Sequence, residues 1–246
     1  MKLFCLPILL VLLLAGCARK QSVIDVPSPP EIAQEPLHTA NPSPTQEMPN
    51  TPAAQAPVAA IRNVKPLYAE LGLASWYGAP YHNRRGSNGE IYDMNQMTAA
   101  HRTLPLNSIA RVTNIKTGSS AVVRITDRGP FIGERILDLS VAASKAVDVW
   151  NAGTAWVKLE VLEAPVPLDT GGKWAVQIGA FETLEAAVQM KQNLIDGYHP
   201  ARVLEFAGPT GQWIRIRVQD DDRGLAERIS RSITTPEGGV FLVRLD

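Results

Sequence analysis

Ala110-Arg-Val-Thr-Asn-Ile115 and Ala121-Val-Val-Arg-Ile-Thr126, split by Lys116-Thr-Gly-Ser-Ser120, decide the fold of the central part of this chain. Both runs are rich in β-branched residues, and the stretch between them carries the small and polar residues that turn a backbone round. They predict two strands joined by a turn. Further along, Trp156-Val-Lys-Leu-Glu-Val-Leu162 alternates as a half-buried strand should. Between these, Ser140 is placed to cap a short helix over Val141 to Val147. Many short strands with one or two small helices predict a compact β-barrel over residues 70–163.

Residues 164–172, Ala164-Pro-Val-Pro-Leu-Asp-Thr-Gly-Gly172, read as a linker. A β-α-β-β-α-β pattern follows over 173–246. Strands are expected at Lys173 to Gly179, Ala201 to Phe206, Gln212 to Val218 and Gly239 to Leu245. Thr183 can cap a helix that carries Leu184, Ala187, Val188, Leu194 and Ile195 on one face and stops at Gly197. Leu225, Ala226, Ile229 and Ile233 mark the second helix. Period-2 alternation sets Val176, Ile178, Ile214, Ile216 and Val218 on one sheet face, under the helices. The opposite face then carries Gln177, Trp213, Arg215 and Arg217, an aromatic platform with hydrogen-bond donors, expected to be open to a ligand.

At the other end, Lys2 precedes an apolar run from Leu3 to Leu14, and Leu14-Ala-Gly-Cys17 closes it. The run falls short of the roughly 20 apolar residues that span a bilayer as a helix. Residues 1–16 therefore read as a cleaved signal segment and Cys17 as the new N-terminus, positioned for lipidation and hence for a lipid bilayer as partner. Residues 17–69 read as a disordered tether: ten of the 19 prolines fall between 18 and 66, with no apolar periodicity. Fully extended in polyproline form, this segment reaches on the order of 150 Å. The chain has 24 basic and 24 acidic side chains. No basic excess points to nucleic acid. Cys5 and Cys17 are the two cysteines, both in the leader region, so no disulfide and no zinc site is expected and no cofactor is called for.

Chemistry concentrates in the barrel segment. Glu90 and Asp93 sit on a Gly-bearing loop, His101 follows in Thr98-Ala-Ala-His101, and Asp127 ends a predicted strand with Arg128 after it. Taken singly, each has an ordinary structural explanation, and spacing alone does not bring them together. Trp76 and Tyr77 can form a stacking floor for a saccharide or belong to the barrel core, and core is the preferred reading for Trp76.

Their order carries more. Gly72-Leu-Ala-Ser-Trp-Tyr-Gly78, Asn88-Gly-Glu90, Tyr92-Asp-Met94, Thr98-Ala-Ala-His101, Thr103-Leu-Pro105, Arg111-Val-Thr-Asn114, Asp127-Arg-Gly-Pro-Phe131 and Asp138-Leu-Ser140 together resemble the rare lipoprotein A (RlpA) family. Asn83, Gly86-Ser87 and Thr126 depart from its usual residues. The resemblance implies a six-stranded double-psi β-barrel that cuts peptidoglycan glycan strands without water, leaving 1,6-anhydro ends. It implies Asp127 as acid/base, with Glu90 and His101 completing the catalytic set, and Tyr77, Asp93 and Arg128 as substrate contacts. Trp174-Ala-Val-Gln-Ile-Gly-Ala-Phe181 resembles the opening of the SPOR family, although Gln219-Asp-Asp-Asp222 replaces a glycine-centred end. That resemblance implies a four-stranded antiparallel sheet with two helices that binds glycan strands lacking stem peptides, here through Gln177, Trp213 and Arg215. The implied setting is the periplasmic face of the outer membrane, enriched at the division septum, with divisome proteins as possible partners. The rival reading is a lipoprotein that binds or loosens the wall without cutting it.

Overall fold

The computed structural model describes residues 64–197, 202–208 and 211–246. The signal segment, Cys17 and the tether up to residue 63 lie outside the described residues.

Six strands form the closed barrel: β1 (Tyr68–Trp76), β2 (Thr98–His101), β3 (Ile109–Asn114), β4 (Ser120–Asp127), β5 (Arg135–Leu139) and β6 (Ala155–Glu163). Their spatial order is β1-β5-β2-β4-β3-β6. The pairs β1·β5 and β2·β4 run parallel and the others antiparallel, so the chain crosses over twice before the barrel closes. The quoted hairpin is β3–β4. Its turn is held by Asn114, whose Oδ1 accepts from Lys116 N at 2.9 Å and whose Nδ2 donates to the Val147 carbonyl at 2.9 Å. β3 alternates half-buried and buried along its length. Val112, Val123, Ile125, Leu137, Leu139, Val157, Leu159 and Val161 fill the interior. Each buried aliphatic side chain stabilises by roughly 1.5–3 kcal/mol. Ser140 caps α1 (Val141–Ala146) as expected, its Oγ accepting from Ala143 N at 3.1 Å.

Beyond the linker, β7 (Trp174–Phe181), β8 (Arg202–Gly208), β9 (Gly211–Arg217) and β10 (Gly239–Arg244) pair antiparallel in the order β10-β7-β9-β8. Helices α2 (Leu184–Gly197) and α3 (Arg223–Ser232) cover the face that carries Val176, Ile178, Ile214, Ile216 and Val218. Thr183 Oγ1 accepts from Ala186 N at 3.1 Å, the expected cap. The buried stripe of α2 is narrower than expected. Ala187 and Leu194 are buried and Met190 packs beside them, whereas Leu184, Val188 and Ile195 are exposed. Val188 and Ile195 each follow a buried residue by one position, a rotation of about 100° that takes them off the sheet. At Gln219–Asp222 the glycine is replaced by aspartates in the left-handed region, Asp220 at φ 56° and Asp221 at φ 52°. Asp222 then caps α3 by accepting from Leu225 N at 3.1 Å.

The two folded parts are joined directly. Arg244 N donates to the Arg102 carbonyl at 3.0 Å, tying the end of β10 to the end of β2. Phe131, from the loop after β4, packs against Trp213 and Phe241 with ring centroids 5.4 and 5.6 Å apart. Gly179 permits this packing: a Cβ there would come within 2.9 Å of the Trp213 ring.

Candidate active site

A cleft of about 600 Å3 opens beside the end of β4. Asp127 and Asp138 both line it. Asp127 terminates β4, and its Oδ1 accepts from Ser87 N at 3.0 Å, Ser87 Oγ at 2.5 Å and its neighbour Arg128 N at 2.8 Å. Oδ2 receives no hydrogen bond from a described residue. Asp138 lies in β5, paired with Ser75 on one side and Ala100 on the other. Ser75 Oγ donates to its Oδ1 at 2.6 Å, and Arg135 Nε stands 3.5 Å from the same oxygen. Burial pushes the Asp138 carboxyl above its ordinary value, opposed by the Ser75 hydrogen bond and by Arg135 and Arg102. A carboxyl so placed retains its proton to higher pH, as a proton donor must.

Tyr77 lines the cleft as expected of a substrate contact, but as a wall. Its ring stacks on Tyr92 at 4.3 Å and meets Tyr81 edge-on at 5.7 Å. Trp76 also reaches the cleft and packs on Trp150 at 4.0 Å.

Glu90, His101 and Asp127 do not share one pocket. Glu90 lies in an adjoining recess that Asp127 also borders. Arg124 grips both its oxygens, Nη1 to Oε1 at 2.9 Å and Nη2 to Oε2 at 2.6 Å, and this holds its carboxyl below the usual range. Asp93 borders the same recess, outside the cleft. It closes a turn by accepting from Asn95 N at 2.9 Å and is not turned to a substrate in the cleft.

His101 is buried elsewhere, beside Glu70. Its Nδ1 accepts from Thr103 N at 3.1 Å and Leu104 N at 3.0 Å. Nδ1 therefore carries no proton, and Nε2–H donates to Glu70 Oε1 at 2.7 Å. Burial lowers the imidazole's affinity for a proton, which agrees with this neutral tautomer. The expected convergence with Asp127 is corrected: strand β2 ends at His101 and carries it away from the cleft.

Arg128 borders the cleft, as a substrate contact would, but most of its donors face the protein. Its guanidinium donates to three main-chain carbonyls, that of Arg244 through Nε, His101 through Nη1 at 3.1 Å and Asp246 through Nη2 at 2.7 Å. These bonds commit it to the joint between barrel and sheet. The open platform expected on the C-terminal sheet is closed at two of its residues: Trp213 is 4% exposed and Gln177 2%. These residues do lie on the face opposite the helices, where Phe131 of the barrel packs on Trp213 and Phe241. Gln177, Trp213 and Arg215 consequently line the same cleft as Asp127 and Asp138. Arg215 Nη2 donates to Gln177 Oε1 at 2.6 Å.

Comparison with known proteins fits this arrangement. Residues 69–159 match the family described as lytic transglycolase, and residues 170–243 match the SPOR domain. A Vibrio cholerae protein named endolytic peptidoglycan transglycosylase RlpA is 40% identical over 169 residues, 66% of this chain and 64% of that protein. The chain is similar to the RlpA family in both of its matched domains. A Neisseria meningitidis relative of the same name is 55% identical over 93 residues, 38% of this chain and 39% of that protein. The Pseudomonas aeruginosa relative is 51% identical over 96 residues, 39% of this chain and 28% of that protein. The matched stretches thus span less than two thirds of each relative's length.

Asp138 was not singled out from the sequence as a site residue. A signal existed: within Arg135-Ile-Leu-Asp-Leu139 one carboxyl interrupts a strand of aliphatic residues, an expensive placement unless the group is paired or used.

Proposed function

We propose that this chain is a lytic transglycosylase acting on peptidoglycan glycan strands. The carrying observation is the cleft that brings the Asp127 and Asp138 carboxyls together, walled by both folded parts. Asp127, fixed through Oδ1 and open at Oδ2, exchanges the proton. It protonates the oxygen that links N-acetylmuramic acid to N-acetylglucosamine, and the bond from that oxygen to the muramic anomeric carbon breaks. The muramic 6-hydroxyl attacks the same carbon and returns its proton to the carboxylate, leaving a 1,6-anhydro end. No water enters, so the slot for water in an inverting pair is unnecessary. Asp138, whose proton affinity burial raises, is the second donor available to the leaving oxygen. Glu90, locked by Arg124, acts as a fixed negative charge beside the Asp127 loop. His101 holds the end of β2 and reaches the reaction only through the backbone.

The preferred substrate is a strand without stem peptides. The apolar leader ending at Cys17 supports a lipoprotein on the periplasmic face of the outer membrane, with the tether reaching toward the wall, and the SPOR match supports concentration at the septum, beside divisome proteins. The test is direct: incubation with purified glycan and mass spectrometry of the products. Anhydro-ended fragments are expected. Retention on the wall without such fragments would favour the rival, a binding or loosening protein, which the Arg124-bound Glu90 and the buried His101 make worth separating.

A further inference from the structure

The chain as a whole is electrically balanced, with 24 basic and 24 acidic side chains. Its cleft is not. Arg84, Arg85, Arg128, Arg135 and Arg215 line it against Asp127 and Asp138. Arg135 stands next to Asp138, and Arg128 is spent on main-chain carbonyls. Arg85 donates to the Gly89 carbonyl, which leaves its charge uncompensated. Arg84 is exposed and makes no side-chain hydrogen bond or ion pair with a described residue. Arg215 enters from the opposite wall, on the C-terminal sheet, steadied by Gln177. Cations thus stand on both sides of a groove whose floor bears the carboxyls that do the chemistry.

A neutral polysaccharide gives no reason for such an excess. An N-acetylmuramic residue carrying a stem peptide has its lactyl carboxyl tied up in an amide. Without the peptide it presents a carboxylate, once per disaccharide. The planar guanidinium fork matches a carboxylate in shape and charge. We infer that Arg84 from the barrel and Arg215 from the sheet are specificity-determining residues of the cleft, gripping the free lactyl carboxylates of a stripped strand. This rests on the reading that the cleft takes peptidoglycan glycan. It moves part of the selection for stripped strands into the cutting site and makes the C-terminal sheet one wall of that site.

The test uses two forms of one substrate. Glycan strands freed of peptides are used as they are, or after their lactyl carboxyls are converted with carbodiimide and methylamine to neutral amides. The full chain in detergent is assayed for anhydro ends on both, and retention of both strands is measured in the same samples. Masking the carboxylates is expected to lower kcat/KM by about ten- to a hundredfold, chiefly through KM, the size of a lost hydrogen bond between charged groups. Arg84→Gln and Arg215→Gln are each expected to bring the ratio between the two substrates toward one. Arg84→Gln carries the inference even where Arg215→Gln fails to fold, since the Arg84 side chain supports nothing else. Equal kcat/KM on both strands, or an equal loss on both in Arg84→Gln, overturns the inference and leaves the cutting reading standing. If neither strand yields anhydro ends, the cutting reading falls. Retention then decides: preference for the ionised strand supports arginine recognition in a binding cleft, and equal retention overturns it.

Discussion

Two acidic clusters on the same barrel use similar residues to opposite ends. In one, Glu70 and His101 satisfy each other at 2.7 Å and two backbone N–H groups occupy the remaining ring nitrogen. In the other, Asp127 is anchored through one oxygen while Asp138 lines the same cleft with burial raising its proton affinity. The residue types alone do not distinguish a closed cluster from an open one. What separates them is whether a carboxyl oxygen remains for something that is not protein.

The sharpest way to break this contrast is Asp127→Asn. Cutting should fall by about 10²- to 10⁴-fold, the usual worth of general acid–base action, with the melting temperature close to that of the parent. An undiminished yield of anhydro ends from purified Asn variant would remove Asp127 from the chemistry. Next in size is Trp213→Ala. Because that ring is buried against Phe131, the change should cost about 3 kcal/mol in urea unfolding and also weaken sedimentation with stripped sacculi. Full stability with unchanged sedimentation would contradict the docked arrangement. His101→Ala should lose roughly 2 kcal/mol, from two orphaned N–H groups and a Glu70 left with Tyr68 as its hydrogen-bond donor, while the cutting rate per folded molecule changes little. A stable variant that no longer cuts would return His101 to the reaction.

Acid should act on the closed cluster. His101 is depressed by burial from an ordinary 6.5, so below that pH an unfolded chain takes a proton that the folded one refuses, and stability declines. Burial tends to raise Glu70, but the hydrogen bond from His101 brings it below its ordinary 4.5, so its contribution is full above 4.5 and disappears as pH falls through the folded value. Both have the same sign, and the melting temperature is expected to drop between pH 7 and pH 4. Asp138 has the opposite sign: raised from 3.8, it favours the folded state at low pH and loses that contribution as pH rises through its folded value. The smallest effect is expected from Ser75→Ala. Removing a hydrogen bond that lowers Asp138 should shift the alkaline limb of the cutting rate upward, if Asp138 supplies the proton. A limb that stays put assigns the whole transfer to Asp127.

The local features were legible. The β3–β4 hairpin, the Ser140 and Thr183 caps and the side each residue of β7 and β9 faces follow from turn chemistry and periodicity within a few residues. The site was legible only in part, because its contacts join distant segments. Ser87 reaches Asp127 across 40 positions and Arg128 reaches Asp246 across 118. Asp127 and the sheet residues Gln177, Trp213 and Arg215 could be named individually, yet nothing local says that a barrel will close over that sheet face. His101 shows the converse: a motif position can persist because two backbone groups and a carboxyl need it.

Arg128 makes its joint entirely with main-chain oxygens. Such acceptors exist whatever side chains surround them, so the seam can survive extensive drift in the C-terminal sequence. What it does not survive is a change of length. A sheet grafted from a distant homologue should seat correctly if its last strand stops in register, whereas one extra residue before Arg244 would leave the guanidinium reaching for carbonyls that have moved out of line.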